Sequence, residues 1–354
     1  MKVVIIGAGV AGLSIGWRLL QAGAEVTILD RGQPGGGATW AAAGMLAVTA
    51  ELEDAVPAER DLAVQSNRLW PGFAAELEQA SGMAVGFVRC GTLLLAEDAA
   101  ALDVLRARGP VVDAAGAREI VPMLAEDLPG GSWVAEEAQA DSRALGEALT
   151  IAFLKAGGTV LPNEAVVTVE QKGGAATALL TPYGRYHADA FVIAAGAWAG
   201  QLDIPIAPVP IAPVKGEMIA LAPPPGMALP GPMIWGNGVY LVPRPDRLLV
   251  GATVQEAGFD TSLTAEARDG LRARAERLIP SLRQWSLAEH WAGLRPKSRD
   301  GLPLLGPAHS RNLFIAGGQF RNGILFAPAI AQMMADLVLG KGQIIPDFDP
   351  RRFA

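Results

Sequence analysis

The first thirty residues constrain the fold of this chain more than any other stretch. Lys2-Val-Val-Ile-Ile6 is a short, β-branched apolar run, suited to a strand buried on both faces. Gly7-Ala-Gly-Val-Ala-Gly12 follows it. Leu13, Trp17 and Leu20 then recur at helical spacing, and Gly23 ends the helix. Glu25-Val-Thr-Ile-Leu29 is a second strand, and Asp30 stands at its end. In such a strand–turn–helix each glycine has a task. Gly7 permits the tight turn, Gly9 lets a pyrophosphate approach the backbone, and Gly12 packs helix on strand. The helix N-terminus offers N–H groups and a partial positive charge to a diphosphate. Asp30, 18 residues beyond Gly12, can accept bonds from ribose hydroxyls. The motif predicts a dinucleotide site and does not separate NAD from FAD; Asp30-Arg31 alone is ambiguous.

Composition removes other classes. The chain has 354 residues, enough for two domains or one large α/β unit. At 51% hydrophobic and 18% charged, disorder is not expected. A net charge of −7 argues against nucleic acid and against a polybasic membrane anchor. One cysteine permits no intramolecular disulfide, and three scattered histidines make a poor metal site. The apolar start, Val3 to Trp17, is broken by glycines, preceded only by Lys2, and soon followed by Arg18, Glu25 and Asp30. It is therefore not read as a targeting segment. No stretch reaches the roughly 18 uninterrupted apolar residues of a membrane span. Ile324 to Leu339 reads as a buried helix, and the expected location is the cytoplasm.

Further along, helices are expected over about 58–81, 102–121, 141–156 and 263–278, and strand-like runs at 85–96 and 190–195. Val239–Arg244 and Arg247–Val254 read as a hairpin turned at Pro245-Asp246. Leu313–Ala316 is a final buried strand, and Gly323 opens the last helix. Pro205–Pro213 and Pro223–Pro232 are candidate crossings between domains. The expected fold class is α/β: a Rossmann-type domain with an inserted, mostly antiparallel α+β domain. The expected division gives 1–84, 141–215 and 291–354 to the nucleotide-binding domain, and 85–140 and 216–290 to a substrate domain.

Six segments, in order along the chain, resemble the glycine oxidase branch of the D-amino-acid oxidase superfamily of flavoenzymes. They are the N-terminal fingerprint, Gly37-Ala-Thr-Trp-Ala-Ala-Ala-Gly-Met45, Val192-Ile-Ala-Ala-Gly-Ala-Trp198, Val239-Tyr-Leu-Val-Pro-Arg244 with Val250-Gly-Ala-Thr253, Trp291-Ala-Gly-Leu-Arg-Pro296 with Asp300-Gly301, and Ala316-Gly-Gly-Gln-Phe-Arg-Asn-Gly-Ile324. The first and last are shared by many flavoproteins. The Trp291–Pro296 and Tyr240 segments are more specific. The resemblance implies that Tyr240 and Arg295 bind a substrate carboxylate and that Arg321 lies beside flavin and substrate. It implies FAD contacts from Gly7, Gly9, Gly12, Asp30, Arg31, Thr39, Ala42, Gly44, Met45, Val166, Gly196, Trp198, Gly318, Arg321, Asn322, Gly323 and Ile324. Covalently flavinylated relatives use a cysteine near the carboxylate-binding segment; none stands there, so FAD is expected to be noncovalent. Val254 occupies a position where the family places Met, which leaves the size preference of the pocket open.

The residues agree with this reading and keep alternatives. Arginine presents a planar fork that matches a carboxylate bidentately. Leu294 and Pro296 make the Arg295 neighbourhood apolar, so its charge needs a partner, either a substrate or a protein carboxylate such as Asp300. Tyr240 is a ligand residue or an ordinary strand tyrosine. Across a two-residue turn it faces Gly251, which would leave room for a ligand. Gly317 to Gly323 either aims helix-end N–H groups at a flavin or is a plain β–α turn. Cys90 is expected in a strand far from the cofactor segments, as a buried inert thiol. His290 is expected to be structural or on the surface rather than a base. Lys215-Gly216 is undecided.

The expected activity is oxidation of glycine, sarcosine or small D-amino acids. Their Cα–H would point at the flavin, and the imine would be hydrolysed to a 2-oxo acid and ammonia. Molecular oxygen would be reduced to hydrogen peroxide. The glycine oxidase branch further implies a supply of glycine imine to thiamine thiazole synthesis. The competing readings are a dehydrogenase serving a membrane acceptor and a non-catalytic flavin-binding protein. No nucleic acid or membrane partner is expected, and homo-oligomerisation is left open.

Overall fold

A computed structural model describes residues 1–52, 55–204 and 208–353. Among these, two large sheets organise the chain. Strand β1 (Lys2–Ile6) leads through helix α1 (Val10–Gln21) to β2 (Glu25–Leu29), which pairs parallel with β1. The chain continues through helices α2 (Pro57–Ser81) and α3 (Ser142–Lys155) to strand β3 (Ala190–Ile193). β3 lies parallel to β1 on its other side. Leu313–Gly317, Leu304–Pro307 and Thr159–Leu161 complete a six-stranded sheet, parallel except for the pair between the first two of these.

Both faces of this sheet are covered, which is why its strands are apolar throughout rather than alternating. On one face α1, α2, α3 and α4 (Gly323–Val338) pack around Trp17, Trp70, Phe153 and Phe326. Each fully buried side chain of this size contributes roughly 1.5–3 kcal/mol. On the other face Val4, Ile6 and Phe191 meet Val169, Ala176 and Leu179 of a three-stranded sheet.

The second sheet has eight strands and is antiparallel except for one pair, Met233–Gly236 with Thr92–Leu95. Its centre is β4 (Ile211–Ala222), β5 (Val239–Pro243), β6 (Leu248–Gly251) and β7 (Ser286–Ser298). Helix Ala265–Leu278 covers one face through Leu271, Ala275 and Leu278. The other face meets Ala41, Ala43 and Met45 from the loop that follows the first βαβ unit. This is the expected α/β class, a Rossmann-type unit carrying a mostly antiparallel insertion. β4 and β7 run unbroken through positions 215–216 and 290–291.

Three expectations change. The region 102–121 is not one helix: Ala99–Arg108 and Ala114–Ile120 are separated by Gly109-Pro110 and a short strand. Proline disfavours the helical conformation in the residue before it, and Gly109 stops the first helix. The segment 223–232 is not a crossing, because it joins β4 to Met233–Gly236 within the same sheet. The other proline-rich segment begins in 205–207, outside the described residues. Cys90 is not in a strand; Gly91 takes φ of +70° and the strand starts at Thr92.

Candidate active site

A cavity of about 830 Å³ lies between the two sheets, within the size range of cofactor and ligand sites. One end is built by the first βαβ unit. Gly7, with φ of +105°, turns the chain so that Gly9 lines the cavity at the start of α1. Gly12 lies outside the lining, because a Cβ there would strike the Gly7 carbonyl; its task is packing. The Thr39 hydroxyl accepts the Val10 N–H at 2.9 Å, which leaves its own proton free to donate. Asp30 accepts from Ala8 N at 2.6 Å and Gly32 N at 2.7 Å. A carboxylate has about four acceptor positions, so two remain for hydroxyls of a ligand. Arg31 stacks on Trp198 at 4.4 Å from the ring centroid.

Ala42, Gly44, Met45, Val166, Gly196 and Trp198 line the middle, and Gly323 and Ile324 the far end. Asn322 caps α4 without a side-chain bond to the helix, so the N–H groups of the first turn are left for a ligand. Its side chain is turned to Glu59 instead; burial raises the Glu59 carboxyl, and the Asn322 bond partly opposes that. Asn322 and Gly318 do not line the cavity, contrary to expectation; Gly318 packs on Ser298. Gln319, which the sequence did not single out, does line it, and its Nε2 is buried without a partner among the described residues. A buried amide left unpaired costs free energy, so a polar ligand atom suits this wall. Two helix N-termini, a strand-end carboxylate and an orphaned amide in one cavity fit FAD.

The second sheet supplies the other wall. Tyr240 on β5 pairs with Gly251 on β6, as the hairpin predicts. The space over Gly251 is not left for a ligand, however: the Tyr240 ring lies on it, and a Cβ would collide with that ring. The Tyr240 hydroxyl points to Met218 Sδ at 3.6 Å, and its ring is 5.6 Å from Trp235. Arg295 on β7 spreads its guanidinium over Gly216 of β4, where no side chain could fit. Its Nη1 donates to the Thr253 carbonyl at 3.1 Å. Asp300 is not its partner. Asp300 is held by Arg352 at 2.8 and 3.0 Å; burial would raise its carboxyl, but the bonds from Arg352, Leu302 N and Ser298, with the Arg352 charge, together lower it. Among the described residues no carboxylate reaches Arg295 within ion-pair distance. Arg321 lines the cavity from the turn before α4, with its guanidinium 5.0 Å from the Phe320 ring.

Arg244 ties this wall to the cofactor loop. Buried at the end of β5, it donates to the carbonyls of Ala43 and Ala140 and to Gln139. Cys90 is half-buried and packs against the same apolar cluster as Met45 and Tyr240, so it is near the cofactor segments rather than far from them. It does not line the cavity, and burial pushes its thiol up, which keeps it unreactive. His290 bonds Glu217 at 2.9 Å behind the cavity. Lys215 is buried on the side of β4 opposite Gly216 and does not face the cavity. Met218 and Trp235 were legible in principle. Met218 shares a strand face with Gly216, and Trp235 stands opposite Tyr240 in register.

The arrangement matches known proteins. Residues 2–337 match the family model described as FAD dependent oxidoreductase (DAO). The chain is 37% identical to the bifunctional protein ThiO/ThiG of Synechocystis sp. over 99% of its own length and 54% of that relative's. It spans about half the length of the ThiO/ThiG relatives it matches. It is 35% identical to glycine oxidase of Geobacillus kaustophilus, over 95% of this chain and 92% of that one. The crystal structure of glycine oxidase from G. kaustophilus superposes with a TM-score of 0.91 at 34% identity, covering 98% of each chain. With a family match over nearly its whole length and a cavity that fits the cofactor, the chain belongs to the DAO family of FAD dependent oxidoreductases.

Proposed function

We propose that this protein is an FAD-dependent oxidase of glycine and other small amino acids or amines, such as sarcosine and small D-amino acids. One observation carries the reading most directly. The Arg295 guanidinium, held over Gly216 and lacking a protein carboxylate among the described residues, stands in the same cavity as the dinucleotide loop. A half-buried cation in a largely apolar wall calls for an anionic ligand, and an amino acid supplies one. The names of the glycine oxidase and ThiO/ThiG relatives support the substrate class and a role in supplying thiamine thiazole synthesis.

In this reading Arg295 and Tyr240 hold the carboxylate, and Arg321 closes the substrate end. Met218, Trp235 and Ala252 shape the space left for the side chain. Gly7, Gly9, Asp30, Thr39, Gly323 and Ile324 hold the diphosphate, ribose and flavin edges noncovalently. When bound, FAD would supply a two-electron acceptor for the amine that molecular oxygen could reoxidise, with hydrogen peroxide as the product. The residues supply position: a fixed guanidinium fork sets the orientation of the amine-bearing carbon. No protein base is assigned, since the amine can arrive neutral; water then converts the imine to the 2-oxo acid and ammonia. The proposed cofactor unit (1–84, 141–215 and 291–354) and substrate unit (85–140 and 216–290) share β4 and β7, so Arg295 and Arg321 reach the substrate from the cofactor side. A cytoplasmic location is part of the proposal; among the described residues no helix is long and apolar enough to cross a membrane.

The test is a balance of products from the FAD-loaded protein and glycine in air. Glyoxylate, ammonia and hydrogen peroxide are expected in equal amounts. Reduction of an artificial dye without peroxide would make the protein a dehydrogenase.

A further inference from the structure

The cavity does not account for a charged cluster lying directly behind it. Lys215 and Glu217 flank Gly216 on β4, and their side chains point away from the cavity into the protein, where both are buried. Glu217 is fully inaccessible, yet its carboxylate collects four donors. Lys215 Nζ is at 3.2 Å, His290 Nε2 at 2.9 Å, and Thr264 gives its N–H at 2.9 Å and its hydroxyl at 3.1 Å. Lys215 Nζ also donates to the Ser262 carbonyl. The cluster thus binds both β4 and the segment that leaves β6 and returns at Thr264. Further along the same segment, Lys215 and Gln255 exchange backbone bonds at 2.9 and 3.0 Å.

Thr253 is the joint between the cluster and the active site. Its hydroxyl accepts the Glu217 N–H at 2.8 Å, and its N–H donates to the Glu217 carbonyl at 3.1 Å. Its own carbonyl accepts from Arg295 Nη1. Thr253 therefore connects the Glu217 main chain to the cavity guanidinium, while the Glu217 carboxylate reaches the same segment at Thr264.

Stability alone does not explain such a cluster. Burying ions costs several kcal/mol each, and well-packed apolar replacements are often neutral or stabilising. A set of directional bonds does what apolar packing does not: it fixes one position of a chain segment.

We propose that Glu217 is a positioning residue for the substrate carboxylate. Its carboxylate anchors the 252–264 segment at Thr264, its main chain holds Thr253, and the two together fix the carbonyl that aligns the Arg295 guanidinium over Gly216. The proposal rests on the reading of Arg295 as the carboxylate anchor.

The test uses the FAD-loaded protein and acetate, a carboxylate that cannot be oxidised, with binding read from the visible spectrum of the flavin. Glu217→Gln keeps the shape and leaves Lys215 without its countercharge. It is expected to keep its FAD, to weaken acetate binding by about tenfold or more, which is about 1.4 kcal/mol, and to raise the glycine KM in step. Removing both charges, in Lys215→Met with Glu217→Gln, is expected to recover part of the loss. A purely structural cluster would lower the melting temperature without moving acetate affinity. Folded, FAD-loaded Glu217→Gln that binds acetate within about twofold of wild type overturns the proposal. Should Glu217→Gln not fold, Thr264→Val removes the hydroxyl that donates to the Glu217 carboxylate and is judged by the same two results. Arg295→Ala separates the two readings. If it too binds acetate like wild type, the anchor assignment has failed; if it alone loses acetate, only the positioning role has.

Discussion

At Arg295 the energetics follow from what surrounds the guanidinium. Among the described residues it keeps a single hydrogen-bond acceptor, the Thr253 carbonyl, and a flat platform at Gly216. Losing one partner of a buried charged pair costs on the order of 3–5 kcal/mol. Arg295→Ala is therefore expected to keep FAD and lose roughly a hundred- to several-thousand-fold in kcat/KM for glycine. Arg295→Lys should recover only part, since an ammonium cannot make two parallel bonds to a carboxylate. Steady-state kinetics on both variants decide this; Arg295→Ala within about threefold of wild type would return the arginine to a structural role. Gly216→Ala tests the platform. The added Cβ would occupy the place of the guanidinium, so FAD content should hold while the glycine KM rises. The arginine was legible from its motif. Its platform was not, because two residues 79 positions apart meet only once β4 and β7 pair. The Asp300 alternative could not be discarded from sequence either; its partner, Arg352, comes from the far end of the chain.

Elements carry the cofactor half of the account. α1 and α4 both begin without a side-chain cap, and both begin at the cavity. Gly9→Val would place a branched side chain where the backbone must approach a diphosphate. The expected product is folded protein without FAD, read by circular dichroism and absorbance; full FAD content would put the diphosphate elsewhere. Another element-level prediction concerns Glu137, which holds the start of helix Val48–Glu51 through bonds to Thr49 N and Ala50 N. Its other oxygen is buried without a partner among the described residues, and burial raises its pKa above the ordinary 4.5. Since the folded pKa lies above the unfolded one, stability is lost as pH rises from the unfolded value through the folded one. Glu137→Gln removes that loss, and its amide can donate to Thr92. Its melting temperature should exceed that of wild type at about pH 8 and approach it near the ordinary carboxylate pKa. Equal melting temperatures at both would mean the carboxylate is not strained by burial. The βαβ start and the long helices were plain in periodicity. The break at Gly109-Pro110 shows where charge and alanine content outweighed a turn signal in the reading.

For the whole molecule, function depends on two sheets meeting around one cavity. The fingerprint predicted one wall from thirty residues. The opposite wall was visible only through family resemblance, since an antiparallel strand tyrosine or arginine has no local signature. What stayed hidden was the packing between them. Arg244 clamps the hairpin to the cofactor loop, and the Lys215–Glu217–His290 cluster lies under β4, a strand buried on both faces whose alternation is masked. The central claim, that a small amino acid held by Arg295 gives its electrons to FAD in this cavity, is tested most directly by mixing the yellow protein with glycine in the absence of oxygen. The account predicts that the flavin absorbance bleaches with glycine and returns on admitting air, and that Arg295→Ala stays yellow at the same glycine concentration. Wild-type protein that remains yellow with glycine, sarcosine and small D-amino acids alike would contradict it.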